Sequence, residues 1–331
     1  MADTIETVLG SVPADSLGCI LPHEHVASVY GSWANWGGVR TEEPNPQWEQ
    51  AVLDHYTPLL TALARDFGCR TIVDATPKWG CSGPRDIEVW AELSRRSGVN
   101  IVVSTGYFSR PVRPANFPDL TVSQLADEMI GDIEEGIHGT HVRAGMIKFN
   151  VSDFDPDGVK LLKAVAIAQR KTGVPVNNCA SAHRMVLDTL VGAGVSPERI
   201  YLGHGDTNGS IPGLMDTLRR GCNTIFTIWS IQNPSLIGWR QPVLPKFHSA
   251  ELTAALLAEG YGDQVLISMD YSAMTGFDEE GRLKADLYEV PGRTYLYMFT
   301  HVLDMLRRFG VGEEAIEHLL RDNPRRMLLR G

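Results

Sequence analysis

Two histidines separated by one residue, in Leu-Pro-His23-Glu-His25, are the first feature of this sequence with chemical meaning. In an extended chain alternate side chains share a face, so both imidazoles would project together and could share a divalent cation. Alone, the pair reads equally well as one core histidine and one hydrogen-bonded histidine. Lys148 adds more, because it lies inside the apolar run Gly145-Met-Ile-Lys148-Phe, where an ammonium is costly to bury. Burial leaves a lysine as a nucleophilic neutral amine. Three readings follow: a buried ion pair, a Schiff-base lysine, or an amine that has captured CO2 as a carbamate, an anionic two-oxygen ligand able to bridge two cations. The upstream histidine pair favours the carbamate. His204 stands between two glycines in Leu202-Gly-His204-Gly-Asp206, which lets backbone or ligand approach closely. Asp270 closes Ile267-Ser-Met-Asp270 and reads as a ligand or as an N-cap.

These residues lie within or at the ends of short apolar runs. The runs cover 19–25, 71–76, 100–106, 145–150, 175–180, 200–205, 224–229 and 264–270. Helix-period segments alternate with them at 47–66, 85–96, 121–135, 157–171, 184–193, 212–220, 249–259 and 293–309. Eight strand–helix units in one domain length predict an α/β chain, a single (β/α)8 TIM barrel spanning 1–331. A doubly wound open sheet is disfavoured, since no GxGxxG turn follows the first strand. Turn signals at Leu9-Gly10 and Pro13-Ala14-Asp15 predict a hairpin cap over 1–18, and the long stretch 271–291 is expected to form a lid. In such a barrel catalytic groups gather at the carboxyl ends of the strands. One metal site therefore explains His23, His25, His204 and Asp270 better than four separate accounts do.

The 331 residues are 43% hydrophobic and 21% charged, enough for a large core and unlike a disordered or collagen-like chain. Thirty basic against forty acidic side chains give a charge of −10 with no Lys/Arg-rich run, which argues against nucleic acid and anionic membranes as partners. No run approaches the roughly 18 apolar residues of a membrane span, and the acidic start Met1–Glu6 lacks the features of a secretory signal. Five scattered cysteines (Cys19, Cys69, Cys81, Cys179, Cys222) without a CxxC pair read as reduced. A cytoplasmic protein acting on a small molecule is expected.

The sequence resembles the phosphotriesterase family, within the amidohydrolase superfamily of metal-dependent barrels. The resemblance runs over nearly the whole chain. It rests on Thr7-Val-Leu-Gly-Ser-Val, Leu-Pro-His23-Glu-His25, Thr71-Ile-Val-Asp74, Gly145-Met-Ile-Lys148, Thr172-Gly-Val-Pro-Val176, Leu202-Gly-His204-Gly-Asp206 and Met269-Asp270. It implies that His23, His25 and Asp270 hold the more buried metal, that a carboxylated Lys148 bridges to a second metal, and that His204 helps hold the second. It implies one or two Zn2+, with Mn2+ or Co2+ as options, and a homodimer. Where the family has a histidine ending the fifth strand, this chain has Cys179, in Pro175-Val-Asn-Asn-Cys179. A thiolate is a good zinc ligand, with Zn–S about 2.3 Å, but it adds negative charge and weakens the Lewis acid. The other reading is a buried cysteine with the second metal weakly held or absent.

The chemistry expected of this set is hydrolysis by a metal-activated hydroxide, since a divalent metal lowers the pKa of bound water toward about 7 and polarises a carbonyl or phosphoryl oxygen. Asp270 would ligate and also move the proton from water to leaving group, with Lys148 as the other catalytic residue. Asp206 or Asp74 would orient these groups. Substrate choice would lie in loops carrying Tyr30, Trp33 and Trp36, then Tyr107 and Phe108, then Trp229, Trp239 and Arg240. Such aromatics often pack loops instead of touching ligand. Lining the mouth, they would suit a lactone, ester or acyl amide with a hydrophobic tail. Tyr107 resembles a tyrosine that lactonase members place beside the metals, and Arg240 could meet a substrate carboxylate. The leading expectation is a zinc-dependent hydrolase of esters, lactones or amides, with phosphotriester hydrolysis as a side activity. The alternatives are a Schiff-base lyase using Lys148, which leaves the histidines unexplained, and a non-catalytic binding barrel with a decayed second metal site, which Cys179 would motivate.

Overall fold

The structure is a computed structural model that describes residues 3–26, 46–78, 84–108, 113–151, 155–179, 183–207, 210–227, 229, 247–271 and 293–331. The chain opens with an antiparallel hairpin, β1 (Thr4–Thr7) and β2 (Gly10–Pro13). Parallel strands follow: β3 (Cys19–Glu24), β4 (Cys69–Asp74), β5 (Asn100–Val102), β6 (Ser104–Thr105), β7 (Met146–Phe149), β8 (Val176–Asn178), β9 (Ile200–Gly203), β10 (Asn223–Phe226) and β11 (Val265–Ile267). Strands β3-β4-β5 pair in one sheet and β6 through β11 in a second. β5 and β6 are two halves of one run broken at Val103, so the sheets are continuous. The circle closes between its first and last strands, where His23 N–H donates to Ser268 Oγ (2.9 Å) and Asp270 N–H to His23 O (3.1 Å). The result is a (β/α)8 barrel with a hairpin cap.

Helices cover the outside: α1 (Pro46–Phe67), α2 (Pro84–Ser97), α3 (Val122–Glu134), α4 (Pro156–Thr172), α5 (His183–Gly192), α6 (Ile211–Arg219) and α7 (His248–Ala258), each bounded within one residue of its predicted limits. Local chemistry sets these limits. Thr121 and Gln124 form a reciprocal capping box on α3, and Asp155 accepts the Gly158 N–H at 2.7 Å to start α4, which ends on left-handed Gly173. The eighth helical segment departs from prediction. It does not begin near 293 but with a π-turn at Met298–Val302, continuing as α8 (Leu303–Arg308). Arg293 is held elsewhere: it is buried, and its guanidinium donates to Thr227 O (2.8 Å) and Met269 O (2.5 Å) at the barrel rim. A further helical segment, 313–328, was not predicted; Met327 and Leu328 from it plug the barrel floor.

The floor shows why polar residues sit where they do. Ile20, Val73, Val102, Met146, Tyr201, Ile225 and Leu266 point inward from their strands and pack with Ile5, Ala14 and Leu17 of the N-terminal cap. Two residues further along, the inward positions become Ser104, Lys148, Gly203, Thr227 and Ser268. Strand β3 alone changes parity: its pairing with β4 shifts register between Leu21 and Glu24, so Ile20 and then His23 and His25 face the interior. Among the described residues no helix is long and apolar enough to cross a membrane.

Candidate metal centre

Six side chains from five strands converge above this apolar floor. Lys148 Nζ lies 2.9 Å from His23 Nε2, and Asp270 Oδ1 lies 3.0 Å from His25 Nε2 and 3.5 Å from His23 Nε2. His204 Nδ1 is 3.9 Å from Asp270 Oδ2, and Cys179 Sγ is 3.3 Å from His204 Nε2. All six are buried. Metal-ligating atoms of His23, His204 and Asp270 lie within 4.8 Å of one another.

Backbone and neighbours aim these groups. His204 (φ 59°) and Asp270 (φ 50°) are left-handed non-glycine residues just past their strands, a conformation costing about 1 to 3 kcal/mol each that clusters at functional sites. Gly203 leaves room for the ring, since a Cβ there would press on His23 Cε1 at 3.0 Å. Gly106 (φ 113°) has the same role below Lys148, since a Cβ would sit 2.1 Å from the Lys148 carbonyl oxygen. Two threonines set the imidazoles: His25 Nδ1 pairs with Thr76 Oγ1 (2.7 Å) and His204 Nδ1 with Thr227 Oγ1 (2.6 Å). The aspartates sit behind them. Asp74 Oδ1 accepts Thr76 N–H at 3.0 Å and its other oxygen accepts the Trp90 indole N–H, while Asp206 accepts Thr227 N–H (3.3 Å) and Ser249 O–H (2.8 Å). Asp206 therefore reaches the site through Thr227, and Asp74 both through Thr76 and directly, its Oδ1 standing 3.9 Å from His25 Nδ1.

Electrostatics follow from burial. Burial, then the Lys148 charge, hold His23 well below the usual imidazole range, so it is neutral and able to accept from the amine. Burial works to raise the Asp270 carboxyl, but His204, His25 and His23 together outweigh it and keep the group ionised. Burial pushes the Cys179 thiol up to about 11. Glu24, on the opposite face of β3 from the histidines, is pushed up to about 8 by burial, against donors from Ser268, Met269 and Tyr271.

The donor set fits a divalent cation. Three imidazoles, a carboxylate and a sulfur are zinc-type ligands, and the buried Nδ1 of His23 has no hydrogen-bond partner among the described residues. Only the Lys148 amine is out of place, and carboxylation would turn it from a repelling cation into a ligand.

Other candidates lie elsewhere. Tyr107 is fully buried, its ring edge-on to Phe117 and its hydroxyl donating to Glu128 at 2.5 Å. Trp229 is buried as well, and its indole N–H donates to Ser268 O at 2.7 Å. Arg240, Tyr30, Trp33, Trp36, Trp239, Cys81 and the 272–291 part of the expected lid fall outside the described residues. Cys19, Cys69, Cys179 and Cys222 form no disulfide. Sequence reasoning missed Glu24, Thr76, Thr227, Ser268 and Arg293. Of these only Glu24 carried a signal, as a charged residue inside an apolar strand.

Fold and site together define a TIM barrel with a candidate metal centre at the carboxyl ends of its strands. The chain belongs to the phosphotriesterase family, whose model matches residues 3–328, and members of this family are binuclear metal enzymes. It is 28% identical to an aryldialkylphosphatase of Saccharolobus solfataricus over 96% of both chains. It is 22% identical to an N-acetyltaurine hydrolase of Xenopus tropicalis, covering 99% of this chain and 98% of that one. A solved structure from the engineering of organophosphate hydrolysis activity from a weak promiscuous lactonase template superposes with TM-score 0.80 at 28% identity, covering 98% of this chain and 99% of that chain. A mutant organophosphorus hydrolase from Deinococcus radiodurans superposes at 0.82 with 30% identity, covering 98% and 96%.

Proposed function

We propose that this chain is a metal-dependent hydrolase of carboxylic esters, lactones or acyl amides, with phosphotriester hydrolysis as a side activity. The ligand groups are His23, His25, Lys148, His204 and Asp270, joined by Cys179, and the cations are one or two divalent ions, zinc foremost. The observation that carries this reading is the Lys148–His23 contact of 2.9 Å inside a cluster of three imidazoles and a carboxylate. A lysine retained there makes chemical sense as a carbamate. Its neutral nitrogen bonds to the carbon of CO2, an electron pair moves onto oxygen, and the nitrogen proton leaves to solvent.

A bound divalent ion supplies a Lewis acid for the substrate oxygen and lowers the pKa of water toward about 7. The remaining work falls to this chain. Asp270, ionised and held 3.0 Å from His25 Nε2, takes the proton of the attacking water and delivers it to the leaving oxygen or nitrogen. Thr76 and Thr227 hold the Nδ1 side of His25 and His204, which directs each Nε2 to the centre. Tyr107 and Trp229, buried with their polar atoms engaged by Glu128 and Ser268, would support the substrate pocket from behind its lining. Arg240 remains the candidate for a substrate carboxylate. The lactonase template and the N-acetyltaurine hydrolase among the relatives support carbonyl substrates; the aryldialkylphosphatase supports the side activity.

The test is a panel of lactones, aryl esters, N-acyl amides and dialkyl aryl phosphates offered to zinc- or manganese-loaded enzyme and to Asp270→Asn. At least one carbonyl class should turn over faster than the phosphates, and the variant should lose about 10²- to 10⁴-fold in kcat. Equal rates in the two proteins, or no hydrolysis of any class, would contradict the reading.

A further inference from the structure

Glu24 stands between His23 and His25 but faces away from them, fully buried. Its carboxyl takes three donors from the chain just past β11. Oε1 accepts from Ser268 Oγ (2.6 Å) and Met269 N–H (2.6 Å), and Oε2 accepts from Tyr271 N–H (2.8 Å). Between them Asp270 N–H donates to His23 O. Three consecutive peptide N–H groups thus turn toward β3 together.

A regular strand cannot do this, because successive N–H groups point to opposite neighbours. The break is Asp270, whose left-handed backbone gathers the flanking N–H groups into a concave turn of the kind that holds an anion. The acceptor it holds here is the Glu24 carboxyl, whose two oxygens take all three donors. Ser268 Oγ ties the assembly to the histidine strand, accepting His23 N–H while donating to Glu24.

We propose that Glu24 is the positioning residue for Asp270: its carboxyl grips the peptide on both sides of Asp270 and fixes where that carboxylate stands relative to His23 and His25. The inference rests on the metal-centre reading above. The chemistry demands a carboxyl at full length. Glutamine would turn an NH2 toward a peptide N–H, and aspartate would fall one bond, about 1.5 Å, short.

The test measures cobalt(II) affinity and the visible spectrum of the cobalt protein for wild type, Glu24→Gln, Asp270→Asn and the double variant. Glu24→Gln should weaken cobalt binding about 10- to 100-fold and alter the spectrum in the same sense as Asp270→Asn. In the Asp270→Asn background it should have no further effect, since both changes act through one ligand. Wild-type affinity and spectrum in Glu24→Gln, or losses that multiply in the double variant, would overturn the assignment. A wild type that binds no cobalt would instead sink the metal-centre reading beneath it. Should Glu24→Gln fail to fold, Ser268→Ala removes one donor only; it should show a smaller loss that vanishes in Asp270→Asn, and no loss would overturn the proposal.

Discussion

Lys148 and His23 are 125 residues apart in sequence, yet the amine of one lies 2.9 Å from the imidazole Nε2 of the other, both shielded from solvent. A neutral imidazole beside a buried amine is a tolerable resting pair, and it puts the lysine nitrogen inside the cluster of imidazoles and carboxylate. The pair is therefore the point at which the site's chemistry can be tested.

Lys148→Met keeps the volume and removes the nitrogen. It should fold, lose the second cation and lose at least about 10²-fold in kcat. Wild type grown or incubated with 13C-bicarbonate should show a carbamate carbon signal that Lys148→Met lacks. The same signal in both proteins would place the carbamate elsewhere.

Cys179 follows the fifth barrel strand, with its sulfur 3.3 Å from His204 Nε2. Burial lifts its thiol to about 11, so it reaches a metal as thiolate only by giving up a proton. Plasma mass spectrometry should find up to two cations per chain in wild type and loss of the second in Cys179→Ala, with Cys179→His restoring it. Equal metal content in wild type and Cys179→Ala would remove the sulfur from the ligand set.

The threonines behind the histidines give a separate prediction. Thr76→Val and Thr227→Val preserve shape and delete the oxygens bound to His25 and His204. Each should reduce zinc affinity about 10- to 100-fold with little change in thermal stability. Zinc titrations that match wild type would mean that packing alone orients these rings.

Asp132 carries a pH dependence distinct from the metal centre. It is buried against Lys78 (2.7 Å) and Thr105 (2.5 Å), and desolvation raises it to about 6 from 3.8 despite those partners. The folded state then holds a proton that the unfolded state has released between those two values. Stability from this group is highest below about pH 4 and falls as pH rises to about 6, by on the order of 3 kcal/mol in all. Urea melts of wild type and Asp132→Asn across that window should diverge in this sense; parallel curves would contradict it.

Much of this architecture is legible in the residues. The eight apolar runs each need both faces covered, so the barrel follows from hydrophobicity and spacing, and His204 and Asp270 are visible because polar residues interrupt such runs. What is not legible is parity and tertiary partnership. The register shift in β3 that turns His23 and His25 inward depends on pairing with β4. Thr76, Thr227 and Ser268 look like ordinary strand-end residues, and their roles arise only when the barrel brings an imidazole or carboxyl to them. The late start of the eighth helix is a case of tertiary override, because Arg293 is held at the rim by carbonyls of Thr227 and Met269. Tyr107 shows the converse: a strand-end aromatic whose hydroxyl is taken by Glu128 on the helix behind it.

The most direct measurement is a zinc titration of chelator-stripped protein, with bound zinc and lactone hydrolysis followed in the same samples. Turnover should rise from near zero with bound zinc and saturate at no more than two ions per chain, and His23→Ala should abolish both binding and turnover. Undiminished hydrolysis after complete zinc removal, or equal zinc binding by His23→Ala, would contradict the account.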